Sequence, residues 1–463
     1  MTDRRWVKRG FGHSSRSINR CVKRLFAYPE SSILQGSGNA TIMKGFLLPL
    51  AGVALLLHAQ TADGRNAVIA ATLYNVNMHA RDDCSKGQQR CVRQVSGTHH
   101  AVEQAGQVMD IPAQDHGRDV QLKPAFHALK ASDISPLVSN FDTAAWLNTN
   151  AIPKSASPDV VGAFRFVCNI SHHNYDDPIV YPGQPGNAHR HGFFGNTKTN
   201  AFSTYETLRK SGDGTCHGGP LNRSAYWRPD LLNGAGMSVI EDHIIVYYKR
   251  RPATDPACAI EGAACVGIPP GLRTIFGSNY STGDEKSPHV TFRCNGPSGD
   301  DKKYATLGPA ASNCAPGNKI LAVVHTPRCW DGVNLDSPDH QSHLAHQGRD
   351  DGRTGRYYCP KTHPYIIPEV TLTFTWAVLP GDDPTTWIFS SDIMAGKPAG
   401  STFHADYMEA WDPPTRLAWE GACLDKLLNC ADGTMGNGRK LKRPPGFTFE
   451  QRPHRVLVPR LTD

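Results

Sequence analysis

Val370-Thr-Leu-Thr-Phe-Thr-Trp-Ala-Val378 alternates without a break. Val370, Leu372, Phe374, Trp376 and Val378 fall on one face, and three threonines with Ala377 on the other. That period of two marks a strand packed on a core. Shorter apolar runs at 164–168, 244–248, 290–294, 320–324 and 387–390 are strand candidates of the same kind, separated by clusters of Gly, Pro, Asn and Asp. Helical periodicity is confined to short stretches such as 417–428. With 43 Gly and 34 Pro in 463 residues, the chain favours turns and long loops over a helical bundle. The expected fold is mainly β: an antiparallel sandwich or jelly-roll-like single domain with long loops and several disulfides.

The net charge of +7 is not spread over the chain. Residues 1–42 carry eight Lys/Arg against Asp3 and Glu30, in a stretch with neither helical nor strand period. Met43-Lys44 then leads into Gly45-Phe-Leu-Leu-Pro-Leu-Ala-Gly-Val-Ala-Leu-Leu-Leu57 and His58-Ala59. A basic start, a short apolar run and a small residue describe a secretory signal peptide, too short to span a membrane comfortably. The expected organisation is an upstream extension over 1–42, a signal peptide over 43–59, an N-terminal extension or linker over 60–159, the main domain over 160–432 and a tail over 433–463. Cleavage near Ala59 leaves equal numbers of basic and acidic residues. The expectation is therefore a secreted protein (extracellular or periplasmic), with no membrane span after signal cleavage and no nucleic-acid partner.

Of 13 cysteines, twelve follow Ala59, an even number that suits a disulfide framework in an exported chain. Cys84/Cys91, Cys258/Cys265 and Cys423/Cys430 share a spacing of seven, and each pair could close a small loop; spacing alone leaves the connectivity open. No CxxC zinc or redox pair, P-loop, HExxH, nucleophile elbow or dinucleotide fingerprint occurs.

A series of motifs runs through the main domain: Asp177-Pro-Ile-Val-Tyr-Pro-Gly183, His189-Arg-His-Gly-Phe-Phe-Gly195, Ser224-Ala-Tyr-Trp-Arg-Pro-Asp230 and Pro269-Pro-Gly-Leu-Arg273. Cys329-Trp-Asp-Gly332, Asp339-His-Gln-Ser-His343, Cys359-Pro-Lys-Thr-His-Pro364, Phe403-His-Ala-Asp-Tyr407 and Trp411-Asp412 follow. In this order they resemble the DUF1996 family of secreted fungal and bacterial proteins. The resemblance implies secretion, disulfides and one compact domain, lends no reaction, and through its cell-surface fungal members points to polysaccharide. The chain departs from the family pattern at Asp406-Tyr407 and at Glu409-Ala-Trp-Asp412, where an Asn-Gly is missing.

Three constellations carry possible chemistry. His189 and His191 are two apart, so on an extended segment both rings point to one side, and Pro182-Gly-Gln-Pro-Gly186 before them forces a turn. Such a pair suits two ligands of one divalent metal ion, or two rings bonded to backbone in a tight corner. His404 and Asp406 form a second alternating pair, as a third metal ligand and its carboxylate or as a surface ion pair. The segment from Trp330 to His346 gathers Asp331, Asp336, Asp339, His340, His343 and His346. A glycoside hydrolase needs two carboxyl groups; Asp177, Asp331, Asp336 and Asp406 are the candidates, and His343 is a further catalytic candidate. A polysaccharide lyase needs a base and a charge neutraliser, roles open to His189, Tyr407 and Arg273. Trp330, Trp411, Tyr226 and Trp227 are candidate sugar platforms. The expectation is a polysaccharide-active hydrolase or lyase with a His/Asp cleft around a divalent metal; the alternative is a non-catalytic carbohydrate or cell-wall binding protein.

Overall fold

The computed structural model describes residues 126–155, 160–241, 243–279, 287–349 and 356–449, with the backbone of a few short strands nearer the termini. The chain divides into Met1–Val108 and Met109–Asp463. In the first unit, Met43–Gly45, Leu57–Gln60 and Asn66–Ile69 pair as an antiparallel sheet. The remainder of the leader expected over 43–59, the extension over 1–42 and the pair Cys84/Cys91 lie outside the described residues.

The second unit is built on β1 (Gly162–Cys168), β2 (Ile170–Asn174), β3 (His191–Gly195), β4 (Ala225–Pro229), β5 (Ile244–Arg250), β6 (Arg273–Gly277), β7 (Val290–Asn295), β8 (Lys319–His325), β9 (Glu369–Ala377), β10 (His404–Met408) and β11 (Asn429–Cys430). One sheet has the order β7-β8-β9-β5-β1-β11 and the other β2-β3-β4-β10-β6. All these pairings are antiparallel except β11 on β1. The alternating run at 370–378 is the centre of the first sheet. Its apolar side chains Leu372, Phe374 and Trp376 are fully buried, with Phe374 opposite Ile244 on one side and Ala322 on the other. Its threonine face is covered too: Thr371 and Thr375 are 7% and 8% exposed, and Thr371 Oγ1 lies 2.9 Å from His325 Nδ1.

The two sheets pack face to face, as the pattern predicts. Phe194 of β3 meets Phe374 of β9 with ring centroids 6.0 Å apart. The hydroxyls of Tyr226 on β4 and Tyr248 on β5 are 2.8 Å apart. Since strand side chains alternate, Phe194, Tyr226 and Tyr407 point into the sandwich while His191, Phe193, Trp227, Asp406 and Ile275 point to the opposite face. That outer face is closed by a second apolar cluster, in which Phe193, Trp227 and Ile275 pack with Ile179, Val180, Tyr205 and Leu208.

Segments on either side extend the packed body. Leu147–Thr149 pairs with Arg439–Leu441, and Leu441 is 1% exposed. The helical stretch expected over 417–428 begins earlier, at Pro413–Trp419 after the N-cap Asp412, and continues as a wider turn at Glu420–Leu424. Among the described residues, five disulfides join Cys168–Cys216, Cys258–Cys265, Cys294–Cys314, Cys329–Cys359 and Cys423–Cys430. Among the described residues, no helix is long and apolar enough to cross a membrane.

Candidate metal centre

The turn sequence before β3 folds as a closed loop. Asp177 accepts from the backbone of Ile179 and Val180, 2.8 and 2.9 Å away. Asp176 accepts from Gly186 and Ala201, and Gly183 and Gly186 take positive φ, which their missing Cβ allows. This loop delivers His189 and His191 to the start of β3. A second loop does the same for His404 at the start of β10. There Asp392 accepts from the backbone of Gly400 at 2.6 Å and of Thr402 at 2.9 Å, and from the Thr402 hydroxyl at 2.7 Å.

His189, His191 and His404 converge. One ring nitrogen from each lies within 4.8 Å of the others, and the ring centroids of His189 and His191 are 4.1 Å apart. They are 5%, 0% and 2% exposed. Each Nδ1 is engaged from behind. His191 Nδ1 donates to the Asp176 carbonyl at 3.0 Å and His404 Nδ1 to the Thr402 carbonyl at 2.8 Å. His189 Nδ1 lies 3.1 Å from Ser390 Oγ, whose own proton goes to the Arg190 carbonyl at 2.6 Å. A nitrogen facing a carbonyl must carry the proton, which makes Nε2 the lone-pair nitrogen, the one able to ligate a metal. His191 Nε2 is buried with no hydrogen-bond partner among the described residues.

The electrostatics favour neutral rings. Burial, then repulsion from His404, lowers His189 to about 3. Burial lowers His404 to about 4, and burial with the two neighbouring rings holds His191 well below the usual histidine range. Neutral imidazole is the metal-binding form. A tetrahedral ion with bonds of 2.0–2.1 Å sets its ligand nitrogens roughly 3.3 Å apart, so ligation would draw the rings slightly together.

Asp406 lies on the same sheet face, its Oδ2 3.7 Å from His404 Nε2, and both its oxygens are buried without a hydrogen-bond partner among the described residues. Burial, then the nearby Asp177 charge, pushes its carboxyl well above the usual carboxylate range. Beneath this end of the sheet, Asp230 ties the site to the core by pairing with Arg190 and Arg228, each at 2.8 Å. Burial alone would raise Asp230, but His173, Arg228 and Arg190 together hold it well below its usual range.

The other residues singled out in the sequence lie elsewhere. His343 does not join the three histidines: its Nδ1 is 2.9 Å from Ser337 Oγ, and burial lowers it to about 4. Asp331 closes a turn by accepting from Val333 and Asn334, and Asp339 does likewise for Gln341 and Ser342. Asp336 is ion-paired with Arg273 at 2.8 Å and with His340 at 2.9 Å. The His346 ring stacks on His289. Tyr226, Trp227 and Trp411 are fully buried, and Trp330, 9% exposed, gives its indole proton to the Asn334 carbonyl. These four rings pack within the apolar clusters of the domain. A cavity of about 280 Å³ lies among Lys249, Arg250, Arg251, Glu261, Arg328 and Ile366, none of them a residue singled out above. Ser390 and the carbonyls of Asp176 and Thr402 carried no signal in the sequence, because a carbonyl is common to every residue and only the fold aims it.

A family model described as "Domain of unknown function (DUF1996)" matches residues 177–411, a span that contains all three histidines and Asp406. Searches of curated proteins and of solved structures find no match.

Proposed function

Because the chain belongs to the DUF1996 family, whose description assigns no reaction, we propose its function from the site: a metalloprotein that holds one divalent transition-metal ion on His189, His191 and His404. The observation that carries this reading is the convergence of three buried imidazoles, one ring nitrogen of each within 4.8 Å of the others, with each Nδ1 held by a neighbouring oxygen. At the same centre we place the chemistry expected from the sequence, hydrolysis or lysis of an external polysaccharide by an exported protein. A bound ion would act there as a Lewis acid or activate a water. The five disulfides suit an oxidising compartment.

The burial of all three rings favours a second reading, in which the ion is structural and ties the loop before β3 to the loop before β10.

Elemental analysis of the purified protein, beside a His189→Ala/His404→Ala double variant, tests the centre. About one ion per chain in the wild type and none in the variant is the expected result; no metal in the wild type overturns it. A polysaccharide panel then separates the two readings. Product release that stops on chelation and returns on reloading supports the enzyme. No release from loaded protein, with a melting temperature that drops on chelation, assigns the ion a structural role.

A further inference from the structure

Asp406 is the anomaly of this centre. Its side chain is 0% exposed, yet neither oxygen meets a hydrogen-bond donor among the described residues. Buried carboxylates are ordinarily satisfied by two or more donors, and an orphaned one needs an explanation such as an ion. The other buried carboxylates of this region show the contrast. Asp230 has Arg190 and Arg228, Asp392 has Gly400 and Thr402, and Asp177 has the turn it closes. Asp406 has cross-strand neighbours Trp227 and Ile275, and the contact that the structure shows for it is His404 Nε2 at 3.7 Å, beyond hydrogen-bond reach. That nitrogen is the one turned toward the proposed metal.

We propose that Asp406 is the oxygen ligand that completes the three-histidine centre to an N3O donor set. This inference rests on the metal reading above and adds to it the fourth ligand and the class of ion. Three imidazoles and one carboxylate, with no thiolate or thioether, suit borderline divalent ions such as zinc or cobalt and not copper(I). An ion between His404 and Asp406 would supply the positive partner that both carboxylate oxygens lack. It would also account for the strand pattern: two residues apart on β10, His404 and Asp406 face the same side, opposite the His191 end of β3.

The test uses the full chain, stripped with a chelator and reloaded with zinc or cobalt(II). Asp406→Asn keeps the shape and removes the charge. It should weaken zinc binding at least tenfold and alter the visible absorption of the cobalt protein, while the metal-free variant melts no lower than metal-free wild type. A merely structural aspartate would lower the metal-free melting temperature and leave the cobalt spectrum unchanged. Asp406→Cys supplies a gain of signal: a thiolate at this position should produce a sulfur-to-cobalt charge-transfer band. Wild type that takes up neither ion removes the three-histidine reading and this proposal with it. Wild type that binds, with an Asn variant of equal affinity and identical spectrum or a folded, cobalt-loaded Cys variant lacking the band, overturns the Asp406 assignment and leaves the three-histidine centre standing.

Discussion

Three neutral imidazoles set the pH behaviour of this centre residue by residue. In an unfolded chain His404 takes up its proton below about 6.5, but in the fold only below about 4. Between those values the unfolded state binds more protons, so stability is lost as the pH falls through this window. Each such ring steepens the dependence by roughly 1.4 kcal/mol per pH unit. A His404→Gln variant of the metal-free protein should therefore show a shallower stability profile between pH 6.5 and 4 than wild type, measured by urea unfolding. Equal slopes would mean that the ring is charged or exposed in solution. Asp331 makes a contrasting case. Its bonds to Val333 and Asn334 close a turn, so Asp331→Ala should cost about 1–2 kcal/mol with metal content unchanged in the elemental assay.

At the scale of elements, β3, β4 and β10 are what make a site of separate motifs. Phe193 lies opposite Trp227, and Trp227 opposite Asp406, so one row of side chains runs across three strands beside the three-histidine cluster. Trp227→Ala should cost about 3–5 kcal/mol in urea unfolding, the range for emptying a large buried site. Unchanged stability with lost glycan binding would support its reading as a sugar platform. The far end of β3 is equally constrained. Gly195 sits at φ +83°, and a Cβ there would lie 2.0 Å from the Ser224 carbonyl oxygen. Gly195→Ala should thus destabilise the protein by at least about 1 kcal/mol, visible as a lowered melting temperature by circular dichroism.

For the whole molecule, the disulfides fasten loops that the two sheets alone leave long. Cys168–Cys216 closes 48 residues of sequence and encloses the segment that carries His189 and His191. In the chain-entropy account its removal costs about 4 kcal/mol, so a Cys168→Ala/Cys216→Ala variant should melt well below wild type, whereas an unchanged midpoint would mean the sheets hold that loop unaided. The sequence by itself determined the mainly β class and the central strand, because a period of two against a buried face needs only neighbours along the chain. It also determined the facing of His189 with His191 and of His404 with Asp406, for the same reason. Tertiary structure alone decided that these two pairs, more than 200 residues apart in the chain, meet at one point while His343 stands aside on Ser337. It alone decided that Trp227 and Trp411 are core, since alternation tells which residues share a face and not what covers it. And it alone left Asp406 buried without a donor: hydrogen-bond satisfaction is a property of the surroundings, and β3, β4, β6 and two loops from distant parts of the chain supply them.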